Sequence, residues 1–171
     1  MLKNLSYLWL SLAIMALQIF LIDELSIAMW LRPMIFPLVV ILLQMEWRPI
    51  WVLLTSTLVG LTMDLALGGS GLYTATIVPL AVIRRGVMYF TTKRSIEHGD
   101  QTSLLSRLSS RQLLAYTSMM MFIHHAMFFT METLSFAHPM QLFATIVCST
   151  LLSMLVAWPI LRIFTLKIVS K

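Results

Sequence analysis

The chain has 171 residues, of which 59% are hydrophobic and only 11% are charged. A soluble domain carries about a quarter of charged residues, so this composition excludes an ordinary water-soluble fold and indicates an integral membrane protein. A chain of this length supplies about six membrane spans of roughly 20 residues, which leaves no room for a separate soluble domain. We therefore expect a single transmembrane domain over residues 1–171.

The apolar stretches are long and do not alternate with polar residues, which favours helices over the strands of an outer-membrane barrel. In chain order, we predict transmembrane helices at about residues 5–22, 27–45, 51–67, 72–89, 113–133 and 140–163. The second contains Pro33 and Pro37, and Gly68, Gly69 and Gly71 separate the third from the fourth. The first is too long for a cleaved signal peptide, so we expect it to remain as an anchor. The predicted fold class is an all-α bundle of six transmembrane helices.

The placement of Lys and Arg predicts the orientation of the bundle, because short cytoplasmic loops are enriched in both residues. If the N-terminus is cytoplasmic, all basic residues except Arg32 fall on the cytoplasmic side: Lys3, Arg48, Arg84, Arg85, Lys93, Arg94, Arg107, Arg111, Arg162, Lys167 and Lys171. The outer connections carry Asp23, Glu24 and His138 instead. This topology accounts for the net charge of +5 without any nucleic-acid partner and predicts that both termini are cytoplasmic.

The only long predicted connection extends from Arg84 to Gln112. Within it, three leucines lie opposite two arginines, which predicts a short helix at the membrane surface: Leu104, Leu105 and Leu108 opposite Arg107 and Arg111. Such a segment could hold anionic membrane lipids or a cytoplasmic partner. The alternative is that its basic residues only set the topology.

Polar residues inside predicted spans are the most informative, because an ionisable group at mid-bilayer costs about 2.5–3.5 kcal/mol unless it is paired or hydrated. Helical spacing places Thr57, Gly60, Asp64 and Gly68 on one face of the third helix. This face is either a partner-binding site or a helix-packing surface whose Asp64 is satisfied by an arginine or by water. Arg32 begins the second helix at the same depth, so we predict an ion pair between Arg32 and Asp64.

The fifth predicted helix carries a second polar set. His125 and Glu132 share one face about two turns apart, with Phe128 and Phe129 between them. His124 points about 100° away from His125, so the two rings are poorly placed to bind one metal ion. A hydrogen-bonded packing pair is the favoured interpretation, and we expect no metal or cofactor.

A catalytic alternative comes from the run Gly68-Gly69-Ser70-Gly71, which resembles the serine motif of rhomboid intramembrane proteases. A serine nucleophile needs a base within hydrogen-bond reach, and that family supplies a histidine from the sixth helix, where this chain has none. A run of this kind is more often a turn between two spans. We therefore expect no enzymatic activity.

The residues resemble the rod-shape-determining protein MreD family. The resemblance is carried by Arg32-Pro33 at the start of the second helix and by Gly60, Asp64 and Gly71 around the turn from the third to the fourth. The stretch from His124-His125 through Phe128-Phe129 to Glu132 is also similar to some members. Over the rest of the chain, the resemblance is one of size and hydropathy.

The resemblance implies a non-enzymatic scaffold of the bacterial cell-elongation machinery in the inner membrane. The expected partner is MreC and, through it, the actin-like MreB and the peptidoglycan synthases RodA and penicillin-binding protein 2. The family fold is similar to the substrate-binding subunits of energy-coupling-factor transporters, so a small-solute-binding transporter subunit is the rival interpretation. In the scaffold interpretation, a partner helix docks in a groove near the second, third and fifth helices, with Gly60 and Gly68 allowing close approach.

Overall fold

The fold was examined in a computed structural model that describes residues 2–22, 31–45, 47–93, 108–134 and 138–164. The described residues form helices and short irregular connections, without a β-sheet. The elements are α1 (Leu2–Leu17), a π-helical turn (Gln18–Ile22), α2 (Pro37–Ile41), α3 (Pro49–Leu67), α4 (Leu72–Thr92), α5 (Ser110–Thr133) and α6 (Pro139–Phe164). The all-α prediction is confirmed for these residues.

Three of these helices are long and apolar enough to cross a membrane: Pro49–Leu67, Ser110–Thr133 and Pro139–Arg162. The chain is therefore a membrane protein with helical spans. α4 has 21 residues but carries Arg84 and Arg85 within it, and α1 contributes a shorter apolar stretch, Tyr7–Phe20. The predicted helices at 51–67, 72–89, 113–133 and 140–163 are all present, and each starts or ends within about three residues of its predicted limits.

The packing order of the long helices follows the chain. α3 packs on α4, α4 on α5 and α5 on α6, and the irregular second stretch lies among α1, α4 and α5. The end of the bundle that holds the α3–α4 turn is called the turn end below, and the opposite end, which holds Arg84 and Arg85, is called the basic end. Consecutive long helices run in opposite directions between these two ends.

The prediction of a continuous second helix is wrong for residues 31–45. Only Pro37–Ile41 is helical in this stretch, and residues 32–35 form an irregular path. The physical reason is the pair of prolines. Pro37 cannot donate a backbone hydrogen bond and its ring would clash with the carbonyl group of Pro33 in a continuous helix, so it occupies the first turn of a new helix instead.

We call residues 31–45 the buried segment, because every residue from Pro33 to Leu43 is buried. It runs antiparallel to α5, since Arg32 contacts Glu132 and the carbonyl group of Ile41 contacts Tyr116. Between those contacts α5 rises about 24 Å at 1.5 Å per residue, whereas a helix from Arg32 to Ile41 would rise only about 14 Å. The non-helical path of residues 32–35 before α2 therefore helps the segment to cover this depth.

α6 presents a stripe of small residues to the interior. Thr145, Ser149, Ser153 and Ala157 recur every fourth residue and are all buried. Small residues at this spacing let two membrane helices approach closely. The stripe brings Ser153 next to α5 and the buried segment, where it takes part in the site described below.

Candidate functional site

Asp64 fastens the turn between α3 and α4. Its carboxylate accepts backbone N–H bonds from Gly71 at 3.1 Å, Tyr73 at 3.0 Å and Thr74 at 2.9 Å, and a hydroxyl bond from Thr74 at 2.6 Å. The first N–H groups of a helix have no partner inside the helix, and an anion there also interacts favourably with the helix dipole. Asp64 thus caps α4 from the preceding helix.

The glycines around Asp64 have distinct roles. Gly68 and Gly71 adopt positive φ angles of 69° and 92°, which end α3 and begin α4. Gly60 serves close approach instead, since a Cβ atom there would lie 2.6 Å from the Cα atom of Thr74. The predicted docking role is wrong for Gly60, because α4 already occupies the space beside it. Gly68 has no neighbour within 4 Å, and its docking role stays a prediction.

The predicted ion pair between Arg32 and Asp64 is also wrong. Arg32 pairs with Glu132, with 2.8 Å between Nη1 and Oε1, and the two side chains are 54% and 35% exposed. The backbone N–H groups at the start of α4 and the Thr74 hydroxyl are closer to Asp64 in the chain than Arg32 is. They satisfy the Asp64 carboxylate. The predicted depth of Asp64 and Glu132 in the membrane did not by itself show which of the two carboxylates pairs with Arg32.

The backbone of the buried segment is held by side chains from four surrounding elements. Near the turn end, the Gln18 amide donates to the carbonyl group of Pro33 at 3.4 Å and accepts from the N–H of Ile35 at 2.7 Å. Gln18 begins the π-helical turn, a type of distortion that is frequent at functional sites. The Ser153 hydroxyl accepts from the N–H of Met34 at 2.8 Å.

At the basic end, two arginines of α4 bind carbonyl groups in the last turn of α2 and in the residues that follow it. Arg84 is 1% exposed and donates to Val40 at 3.0 Å, Leu43 at 3.2 Å and Gln44 at 2.6 Å. Arg85 donates to Met45 and Trp47 at 3.2 and 2.9 Å. Irregular backbone is tolerated at membrane depth only where protein groups satisfy it.

This role corrects the assignment of both arginines to a long connection. α4 continues to Thr92, so the connection that was predicted to begin at Arg84 starts nine residues later, at Lys93. Leu108 precedes α5 and Arg111 lies in its first turn, where Ser109 and Gln112 form a capping box. Leu104, Leu105 and Arg107 lie outside the described residues, as do Asp23, Glu24, Arg94, Lys167 and Lys171.

His125 joins α5 to α6 through a directed chain of hydrogen bonds. Its Nδ1 atom is 2.8 Å from the carbonyl oxygen of Met121, which can only accept, so Nδ1 carries the proton. The Nε2 atom then accepts from the Ser153 hydroxyl at 3.1 Å, whose oxygen accepts from Met34. The expectation of a hydrogen-bonded packing pair is confirmed for His125 but not for His124, whose ring nitrogens have no hydrogen bond in the described part of the protein.

Ser153 and His125 have the contact that a serine nucleophile needs, a base within hydrogen-bond reach. Both residues are fully buried, however, and the serine oxygen already accepts a backbone N–H. The hydrogen bonds of His125 and Ser153 therefore connect α5, α6 and the buried segment. Ser70, the serine of the rhomboid-like run, is exposed in the α3–α4 turn.

His124 lies in a ring of aromatic side chains. Its imidazole meets Phe36 edge-on at 5.2 Å between centroids, and the rings of Tyr73 and Phe128 close the cycle. The ring joins the buried segment to α4 and α5 where α2 begins. Neither nitrogen of His124 has a hydrogen-bond partner in the described part of the protein, which distinguishes it from His125.

Comparisons with protein-family models, curated proteins and solved structures found no match to this chain. The functional argument therefore rests on the residues themselves. The sequence indicated Asp64, Gly71, His125 and Glu132. It did not reveal the three residues that bind the backbone of the buried segment, Gln18, Ser153 and Arg84. Two signals in the sequence pointed to them: a pair of prolines that breaks the predicted second helix, and polar side chains on the neighbouring helices.

Proposed function

We propose that the chain is a non-enzymatic scaffold of the bacterial cell-elongation complex that binds MreC. In this proposal it spans the inner membrane six times, counting the buried segment as one crossing, with both termini cytoplasmic. MreC connects it indirectly to MreB, RodA and penicillin-binding protein 2. The basic end, which carries Arg48, Lys93, Arg111 and Arg162, then faces the cytoplasm, as the distribution of positive charge favours.

The observation that carries the proposal is the structural use of the residues that resemble MreD. Gly60 and Asp64 join α3 to α4, while Arg32 ties the start of the buried segment to Glu132. These contacts stabilise a fixed bundle. Apart from His124, the polar groups of the resemblance are thereby engaged within the chain, which fits a scaffold that offers its outer helix faces to partners.

The outward face of α3 is the surface we assign to the partner helix. Five large apolar residues alternate there at steps of three and four and are exposed: Trp51, Leu54, Leu58, Leu61 and Leu65. This spacing suits a left-handed pair of helices, in which side chains of one helix insert between those of the other. A single membrane helix of MreC fits such a face without displacing any element of the bundle.

The second candidate, a small-solute-binding transporter subunit, is favoured by the broken second crossing. Transporters often place their binding sites where a membrane helix is interrupted near the middle of the bilayer. The two candidates differ in what the purified protein retains. A scaffold retains a single-helix partner, whereas a transporter subunit retains a small molecule.

Depletion of the protein in its native bacterium tests the proposal. Rod-shaped cells should widen and round up, and a plasmid copy should restore their width. A Ser70→Ala copy should restore it equally well, because Ser70 lies in an exposed turn. Cells that keep a constant width after depletion contradict the scaffold function, and failure of Ser70→Ala at normal abundance would point to a protease instead.

A further inference from the structure

His124 is fully buried, and both of its ring nitrogens lack a partner in the described part of the protein. A buried polar group without a hydrogen bond costs about 1–3 kcal/mol, and such groups are rare in folded proteins. A neutral imidazole has one N–H donor and one acceptor nitrogen. The cost therefore applies to both ring nitrogens of His124, the donor and the acceptor.

The surrounding rings can satisfy only half of this need. The Phe36 ring stands at 84° to His124 with 5.2 Å between centroids, a geometry in which an N–H group can point weakly at a ring face. The acceptor nitrogen needs a donor, which neither Phe36 nor Phe128 has, and the Tyr73 hydroxyl makes no hydrogen bond to His124. The ligand of His124 must therefore bring a hydrogen of its own.

Two other buried polar atoms, one on α5 and one on α6, also lack a partner in the described part of the protein, but they lie away from His124: the hydroxyl oxygens of Thr117 and Ser149. Thr117 lies two turns from His124 on one face of α5. Ser149 lies one turn from Ser153, whose contact with His125 fixes the register of α6 against α5. Other hydroxyls in these helices, such as that of Thr150, bond to the carbonyl group four residues earlier.

The chemistry of the ligand follows from its surroundings. A cation would need a carboxylate, but Asp64 is engaged by the start of α4 and Glu132 by Arg32. Two ring centroids lie 5.2 and 6.3 Å from that of His124, which are contact distances for packed rings, so the ligand must be very small. A water molecule both donates and accepts, and buried waters typically serve otherwise unsatisfied polar groups.

We propose that His124 binds a small neutral hydrogen-bonding ligand, water or a solute of similar polarity, at the point where α2 begins. The site lies beside the break in the second crossing, next to the rings of Phe36 and Phe128. It stands independently of the scaffold proposal, because it rests on the hydrogen-bonding needs of the interior. The bound ligand places a polar group inside the bundle, next to the break in the second crossing.

Hydroxyl-radical footprinting of the purified protein tests the site, because radicals formed from a bound water oxidise the side chains next to it. Phe36 and Phe128 should be oxidised several-fold faster in the wild type than in His124→Phe, which removes both polar nitrogens and keeps an aromatic ring. Met120→Leu, a buried apolar change one turn away on α5, is the matched control and should leave both rates unchanged.

Mass spectrometry of denatured extracts separates the two sources of the ligand. A small molecule released in stoichiometric amount from the wild type, and missing from His124→Phe, identifies a solute rather than water. Equal, slow oxidation of both phenylalanines in the wild type and in His124→Phe, with no released molecule, overturns the proposal. If His124→Phe does not fold, NMR exchange spectroscopy on wild-type protein with ¹⁵N-labelled histidine decides, since a hydrated His124 must show a water cross-peak.

Discussion

Replacement of Asp64 should destabilise the protein more than any single change in the exposed ion pair. In Asp64→Ala, the buried N–H of Tyr73 loses its partner, which costs about 1–3 kcal/mol. The loss of the cap on α4 adds about 1 kcal/mol. We expect a total of about 2–4 kcal/mol, because water can reach the partly buried N–H groups of Gly71 and Thr74 and reduce their share.

Two milder variants remove only part of the hydrogen bonding at Asp64. Asp64→Asn keeps one acceptor oxygen but turns an NH₂ group towards N–H donors, and we expect a loss of about 1–2 kcal/mol. Thr74→Val removes only the hydroxyl bond to Asp64 and should cost about 1 kcal/mol. Thr62→Val is the control, since the Thr62 hydroxyl is exposed and bonds only to its own helix, so its effect should stay within about 0.5 kcal/mol.

The assay is reversible unfolding of the purified protein in mixed micelles titrated with sodium dodecyl sulphate and followed by helical circular dichroism. The reasoning also requires that Asp64→Ala and Arg32→Gln be additive within about 0.5 kcal/mol, because the two residues do not share a contact. A coupling larger than this would restore the Arg32–Asp64 pair. An Asp64→Ala protein as stable as the wild type would refute the capping role.

Five variants test three other parts of the fold by the same unfolding assay. Arg32→Gln and Glu132→Gln should each cost no more than about 1 kcal/mol, because the pair is exposed, and a loss of 3 kcal/mol would place it in a dry interior. Arg84→Lys should lower the free energy of unfolding by about 3 kcal/mol or more, because an ammonium group cannot reproduce the forked guanidinium that binds three carbonyl groups. Arg85→Lys should lower it by a smaller amount. Gly60→Ala should cost about 1–3 kcal/mol through overpacking against α4, and a neutral result would mean that the two helices separate easily.

Much of the fold was predictable because long apolar runs have only one way to satisfy their backbone in a membrane. The limits of α3 to α6 follow from Pro49, the Gly68–Gly71 turn, the Ser109 capping box and Pro139, all of which are local signals. These signals act within a few residues, so the sequence alone is sufficient to find them.

The buried segment was not predictable in the same way. Hydropathy records that Pro33 to Leu43 are apolar but not that tertiary hydrogen bonds replace the helical ones. Those bonds come from Gln18, Ser153 and Arg84, at separations of 15 to 119 residues along the chain. The choice of Glu132 over Asp64 as the partner of Arg32 is non-local for the same reason, since it depends on which helix lies beside the segment.

Co-purification from native membranes tests the central claim most directly. The tagged chain, extracted in mild detergent, should retain MreC in stoichiometric amount. A variant with Leu54, Leu58 and Leu61 of α3 changed to Ala should lose most of it, whereas a control with Leu151 and Leu155 on the outward face of α6 changed to Ala should keep it. A wild-type chain that is extracted intact without MreC, and holds a small molecule instead, would contradict the scaffold account and favour a transporter subunit.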